Sequence, residues 1–360
     1  ADTNTATYAS TVLSDGNTII GAYAANRIDY NRYYEPSTEL VGYMAASDNV
    51  IIGNNAVRYA SGAVSTVIVG YKAGMGVATS TAKQGGLFDG DIAIGAYALA
   101  RLGVDPSTTG AIGGGTGGRA KDIAIGFGAG CATGPVIPFP ASDTTQNLSS
   151  NETNGIAIGT GAMFKNGMCS SIAIGERSMG EANQFASQNI VIGNYAGYNL
   201  SGGIGRNVLI GNYAANYTTT GVNNVCVGDE AGQVLTTGSN NTLIGRRAGN
   251  DPVAIIQTQS NYVVIGNNST TNANIKVSWT VTSDARDKTD IVPIPRGLDF
   301  VNQLNPRQFK LMDRETQQAT TGDRYGFVAQ EVQAVEGNDL VLIDNSDDNN
   351  LKIKESLLVP

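Results

Sequence analysis

A glycine-anchored phrase recurs twelve times along this chain and constrains the fold more than any other feature. It commonly opens on Asn or Asp, continues through three apolar or small residues and closes on Gly, as in "DNVIIG", "DIAIG", "NIVIG", "NVCVG" and "NTLIG". The anchoring glycines are Gly21, Gly53, Gly70, Gly95, Gly126, Gly159, Gly175, Gly193, Gly211, Gly228, Gly245 and Gly266. From Gly159 onward they are spaced 16, 18, 18, 17, 17 and 21 residues apart, regular enough for one coil per repeat. The earlier spacings run from 17 to 33, which implies longer loops inserted into the same scheme.

The phrase has a direct physical reading. In "IAIG" the two Ile side chains fall on one face of a strand and Ala on the other, because side chains alternate along an extended chain. β-Branched residues suit such a surface, and glycine lets the backbone turn sharply or approach a neighbouring strand. Asn-rich stretches such as "TTTGVNN" and "TTGSNN" supply turns. A single coil cannot bury its apolar face, whereas stacked coils can. The expected fold is therefore mainly β: a repetitive β-solenoid or β-roll. Tyr23, Tyr97, Tyr195 and Tyr213, each two residues past a repeat glycine, are expected to form a packing ladder.

Composition narrows the chemistry. The 360 residues carry 46 glycines, only 15% charged residues and a net charge of −8, a balance that argues against nucleic-acid binding. There is no histidine, which removes Ser-His-Asp and Cys-His catalysis and most zinc sites. Cys131, Cys169 and Cys226 show no metal-ligand spacing and read as small buried apolar groups. No metal and no cofactor is expected. No apolar run approaches the ~18 residues of a membrane helix, and the "ADTNTATYAS" start is not a signal peptide. A soluble protein without membrane insertion is the expectation.

Over roughly residues 15–270 the repeats resemble the "NSVAIGxxS" units of trimeric autotransporter adhesin heads, the YadA-like β-roll. That resemblance implies three chains packed side by side.

Beyond residue 270 glycine thins out, and "RGLDFVNQLNPRQFKLMDRETQQ" and "RYGFVAQEVQAVEG" bring helical spacing and charge, as in a small α+β module. Phe300, Leu304 and Phe309 are its candidate apolar positions, with Phe327, Val328, Val332 and Val335 as a second stripe. Three segments in order, "SDARDKTDI", "LNPRQF" and "YGFVAQEV", resemble the intramolecular chaperone domain of phage tailspikes and tail fibres, also called the peptidase S74 domain. In that family the domain assembles three fibre chains and then cleaves itself off at the serine of the first segment. The resemblance implies a Ser283–Lys288 catalytic pair, with Asp284 and Arg286 completing the first motif. Gly326, Phe327, Ala329, Gln330 and Glu331 match the third, "YGFVAQEV". The family continues into a long C-terminal helix, and the chain ends at "KIKESLLVP", so the module is expected to be truncated. The expected organisation is an N-terminal segment (1–14), the repeats (15–270), a linker strand (271–282) and the chaperone module (283–360).

The proposed chemistry makes a demand on geometry. A serine hydroxyl needs a base, and without histidine the candidate is lysine, which must be desolvated or held beside other cations to give up its proton. Arg286 favours that loss, whereas Asp284 and Asp287 oppose it. A separation of five residues does not place Ser283 and Lys288 on one helical face; a turn or a neighbouring subunit must bring them together. An N-to-O acyl shift at Ser283 is a second route. Without the downstream motifs the same stretch would read as a charged linker.

Recognition is expected in the loops that interrupt the repeats. In "ANRIDYNRYYEPSTEL", Arg27, Asp29, Tyr30, Tyr33 and Tyr34 combine stacking faces with polar edges suited to sugars, although the same tyrosines would equally cap the solenoid's end. The combined expectation is a virion-borne homotrimer made in the host cytoplasm. Its partners would be other phage tail or baseplate proteins and a host surface glycan or protein receptor. At most it would be a self-processing serine endopeptidase. A bacterial trimeric adhesin head and a polysaccharide-depolymerising tailspike are the alternatives.

Overall fold

Each glycine-anchored phrase forms one three-residue strand. Twelve such strands, from Thr18–Ile20 to Val263–Ile265, pair in chain order into a single parallel sheet. The computed structural model describes most of residues 155–354, apart from 165–169, 183–185, 202–204, 253, 278–279, 281, 295, 320–321 and 347–349. Before these it describes 18–21, 48–56, 62–74, 77–78, 83–84, 87–89, 91–99, 101–102, 122–130 and 132–133. They divide into two compact units, residues up to 250 with 256–265, and residues 251–255 with 266–360. The chain is mainly β, a β-solenoid followed by a small C-terminal module.

Register is kept without slippage, so that Ile172, Ala173 and Ile174 lie opposite Ile190, Val191 and Ile192, which in turn face Val208, Leu209 and Ile210. Two columns of contacts enforce it. The first is glycine: Gly175 has φ +132°, and a Cβ there would lie 2.6 Å from the carbonyl of Gly193 in the next coil. Side chains are therefore excluded from this column.

The second column is polar and buried. Asn189 Oδ1 accepts the backbone N–H of Asn207 at 3.0 Å, Asn207 Oδ1 that of Asn224 at 2.8 Å, and Asn224 Oδ1 that of Asn241 at 3.0 Å. Asp91 and Asp122 do the same in earlier coils, each at 2.9 Å. This explains why an Asn or Asp so often opens the phrase. A buried amide N–H that would otherwise lack a partner is satisfied by the coil before it. The Asn-rich stretches thus divide their work. Asn223 and Asn240 take the left-handed turn conformation, at φ 57° and 58°, while Asn224 and Asn241 are clamps.

The strand faces are disposed unexpectedly. The middle residue points inward and is fully buried, as at Ile51, Ala93, Ala173, Val191, Leu209, Cys226 and Leu243. The two flanking Ile or Val residues point out of the coil, so stacking does not bury the wider apolar face. The interior is narrow, and its volume is balanced within several coils. Ala93, Ala157 and Ala173 accompany the larger Leu99, Met163 and Met179 six residues on, whereas Val191, Cys226 and Leu243 accompany Gly197, Gly232 and Gly249. Buried Cys226 is one of these core groups, its thiol pushed up to about 12 by burial; Cys131 and Cys169 lie outside the described residues.

The tyrosine ladder forms where it is described: the Tyr195 and Tyr213 rings stack at 5.4 Å, and Tyr97 meets Tyr71 and Phe127 edge-on. Tyr23 lies outside the described residues.

The C-terminal unit contains helix Ala329–Glu336, a helical turn Leu298–Val301, and two antiparallel pairs, Arg307–Phe309 with Arg324–Gly326 and Ile343–Asp344 with Lys352–Ile353. Its core is Val332, Leu342 and Ile343, joined by Phe300, Leu304, Phe327, Ala329 and Ile353. Gly337, in the left-handed region at φ 70°, ends the longer helix.

Candidate functional site

Local backbone chemistry brings Ser283 and Lys288 together. Asp284, in an extended conformation, caps a short 3₁₀ helix, Ala285–Asp287, by accepting the Arg286 backbone N–H through Oδ1 at 2.9 Å. Asp287 N–H donates to the Asp284 carbonyl at 3.1 Å, and Lys288 N–H donates to that of Ala285 at 3.2 Å. A 3₁₀ turn advances only ~2 Å per residue, so the chain doubles back within five residues. Lys288 Nζ then donates to Ser283 Oγ at 2.5 Å. The turn that the spacing demanded is supplied inside a single chain.

Arg286 does not reach toward this pair. Its guanidinium grips Asp284 through Nε at 3.0 Å and Nη2 at 2.7 Å, a bidentate ion pair that also closes the cap. The Arg286 side chain, and then its backbone N–H, hold the Asp284 carboxyl below the usual carboxylate range, and Asp284 in turn raises Arg286. Within the site these two charges largely cancel. Both residues, with Ser283 and Lys288, are exposed. Just beyond them, the apolar Ile291, Val292 and Ile294 are 70%, 73% and 77% exposed.

The second and third motifs join each other. Arg307, from "LNPRQF", pairs with Gly326 across the hairpin and forms a two-pronged ion pair with Glu331, Nη2 to Oε1 at 2.9 Å and Nε to Oε2 at 3.0 Å. That contact raises the Arg307 pKa. Phe327 packs in the core, while Ala329, Gln330 and Glu331 form the first turn of the longer helix. Sequence reasoning matched Glu331 to a motif but did not pair it with Arg307; charges of opposite sign in two adjacent motifs were the available signal. The Arg27, Asp29, Tyr30, Tyr33 and Tyr34 cluster lies outside the described residues.

Residues 283–342 match the family model described as Peptidase_S74, chaperone of endosialidase, and the match starts at Ser283 itself. Comparison with curated proteins and with solved structures returned no match. The C-terminal module is thus similar to a chaperone whose domains act in trimerisation, which supports a homo-oligomeric chain. Among the described residues no helix is long and apolar enough to cross a membrane.

Proposed function

We propose that this chain is a homotrimeric phage tail fibre or tailspike that attaches to a host-surface glycan or protein. Its C-terminal module drives trimerisation and then severs the chain at Ser283. The hydrogen bond between Lys288 Nζ and Ser283 Oγ, inside the segment that matches the chaperone family, carries this reading.

In the cleavage step Ser283 Oγ attacks a peptide carbonyl carbon while its proton passes to Lys288 Nζ in its uncharged form. The tetrahedral intermediate collapses, the C–N bond breaks, and Lys288 returns the proton to the departing nitrogen. Water then hydrolyses the ester and frees Ser283. Covering the exposed Ile291, Val292 and Ile294 by a neighbouring chain would remove water beside Lys288 and favour its uncharged form, which makes cleavage follow assembly.

The test is the mass of the full chain against Ser283→Ala and Lys288→Ala. Cleavage is expected in the unaltered chain and in neither variant; equal masses in all three would remove the self-cleavage reading.

A further inference from the structure

We propose that a cut at Ser283 does not by itself free the C-terminal module, because the turn at residues 267–271, upstream of the cut, is a docking site for the hairpin downstream of it. The inference rests on the cleavage reading above, and the partner it assigns to the turn is the severed C-terminal fragment of this same chain.

The family match begins at Ser283, but the compact C-terminal unit begins earlier. That unit takes in residues 251–255 and everything from Gly266 onward, so the proposed cut falls inside a folded unit rather than at its edge. Residues on the two sides of Ser283 are bonded to each other. Asp313 accepts from Asn268 Nδ2 through Oδ1 at 2.8 Å and from Ser269 Oγ through Oδ2 at 3.2 Å. The Arg314 backbone N–H donates to Asn268 Oδ1 at 3.5 Å, so both ends of one side-chain amide are engaged. Arg324 Nη2 donates to the Thr271 carbonyl at 2.6 Å. Between these anchors, every described residue of 272–294 is exposed and none is in a strand. Cutting that strap therefore removes little packing and none of the bonds that bridge it.

Each partner is organised by its own bonds. In the upstream turn the Thr270 N–H donates to the Asn267 carbonyl at 2.9 Å and the Ser269 N–H to Asn267 Oδ1 at 3.0 Å. The Asn268 N–H is held by the buried Asp251 carboxylate. In the downstream turn Asp313 Oδ1 also accepts the Glu315 and Thr316 N–H groups at 2.8 and 2.9 Å. The Thr316 N–H above all holds the Asp313 carboxyl below the usual carboxylate range. Arg324 stands opposite Phe309 in the same hairpin. Two preformed surfaces lose little conformational freedom on meeting, so this contact outlasts the covalent link better than one between loose segments. A single grip of exposed polar bonds is weak; three copies in a trimer act together and lengthen retention without any new contact. Cleavage is then one step and departure of the module a second.

The experiment makes the cut independently of Ser283. A recognition sequence for a site-specific protease is placed between the exposed Ile291 and Val292 of a full-length Ser283→Ala chain with a C-terminal affinity tag. After complete cutting, judged on a denaturing gel, the N-terminal fragment should stay on the resin with the tagged fragment. Asn268→Asp sets a second carboxylate against Asp313 and should raise the rate of release about 10-fold. Asn268→Asp together with Asp313→Asn exchanges the two groups and should restore retention, which separates a broken contact from a misfolded chain. Fragments that part at once in the Ser283→Ala chain would overturn the inference. Equal release with and without Asn268→Asp, or no recovery in the exchanged pair, would overturn it as well. A chain that never cuts itself in the mass comparison above would remove the cleavage reading and leave the docking result standing.

Discussion

Leu243 occupies the space that a side chain on Gly249 would need: a Cβ built on Gly249 would stand 2.8 Å from Leu243 Cδ1. Four coils earlier the assignment is reversed, with Ala173 on the strand and buried Met179 six residues later. In these two coils the interior accepts one large group, from either position.

That exchange predicts a compensated pair. Leu243→Ala alone should cost about 2–4 kcal/mol through lost burial and an unfilled cavity. Gly249→Met alone should also destabilise, by overpacking. Together they should recover most of the loss, because Met179 already adopts the required left-handed backbone, at φ 52°. Denaturant midpoints at fixed chain concentration measure the coupling; strictly additive losses would show that the two positions do not share a volume.

Much of this architecture was legible in the sequence because glycine and the strand triplets act locally. Gly175 must be glycine for a reason visible in its spacing, and "IAI" is a strand by its alternation. What could not be read was direction. Nothing in "IAI" says whether Ala or the Ile pair faces inward, since that depends on how narrow the coil is, a property of all its residues. The Asn224 and Asn241 clamps were hidden in the same way: a buried Asn and a turn Asn look alike until the neighbouring coil supplies the N–H. In the Ser283–Lys288 segment, the spacing excluded a shared helical face but did not specify the Asp284-capped 3₁₀ turn, which rests on backbone hydrogen bonds.

Glu336 gives the C-terminal module an acid-sensitive lock. Its side chain is fully buried, pairs with Arg296, and accepts the N–H groups of Val341, Leu342 and Ile343 at 3.0, 2.9 and 3.0 Å. Burial opposes its ionised form, but the backbone N–H groups and Arg296 outweigh that, so its pKa is lowered. A carboxyl with a depressed folded-state pKa stabilises fully above its unfolded value, about 4.3. That contribution fades as pH falls through the lower folded value. Glu336→Gln keeps the shape but loses the charge, and should cost about 1–3 kcal/mol at pH 7. Hydrogen exchange over residues 341–343, compared between the two chains, should show a large difference at pH 7 that shrinks toward pH 3. A constant difference would mean that ionisation of Glu336 contributes nothing.

In the proposed cleavage the Asp284–Arg286 pair should act by holding the turn rather than by chemistry, because each residue is directed at the other. Arg286→Ala removes the bidentate grip but leaves the cap, in which Asp284 accepts the residue-286 N–H. Asp284→Ala removes both. Misplacing a reacting group by about 1 Å can cost about 100-fold, so Asp284→Ala should slow single-turnover cleavage by about that factor and Arg286→Ala by roughly 10-fold. The exposed ion pair is screened by salt; 1 M NaCl should therefore slow the unaltered chain and leave Asp284→Ala unaffected. The pH–rate midpoint should be the same in Arg286→Ala as in the unaltered chain. A shifted midpoint would show that the guanidinium charge acts on Lys288 directly, and a rate as low as that of Ser283→Ala would make Arg286 part of the chemistry.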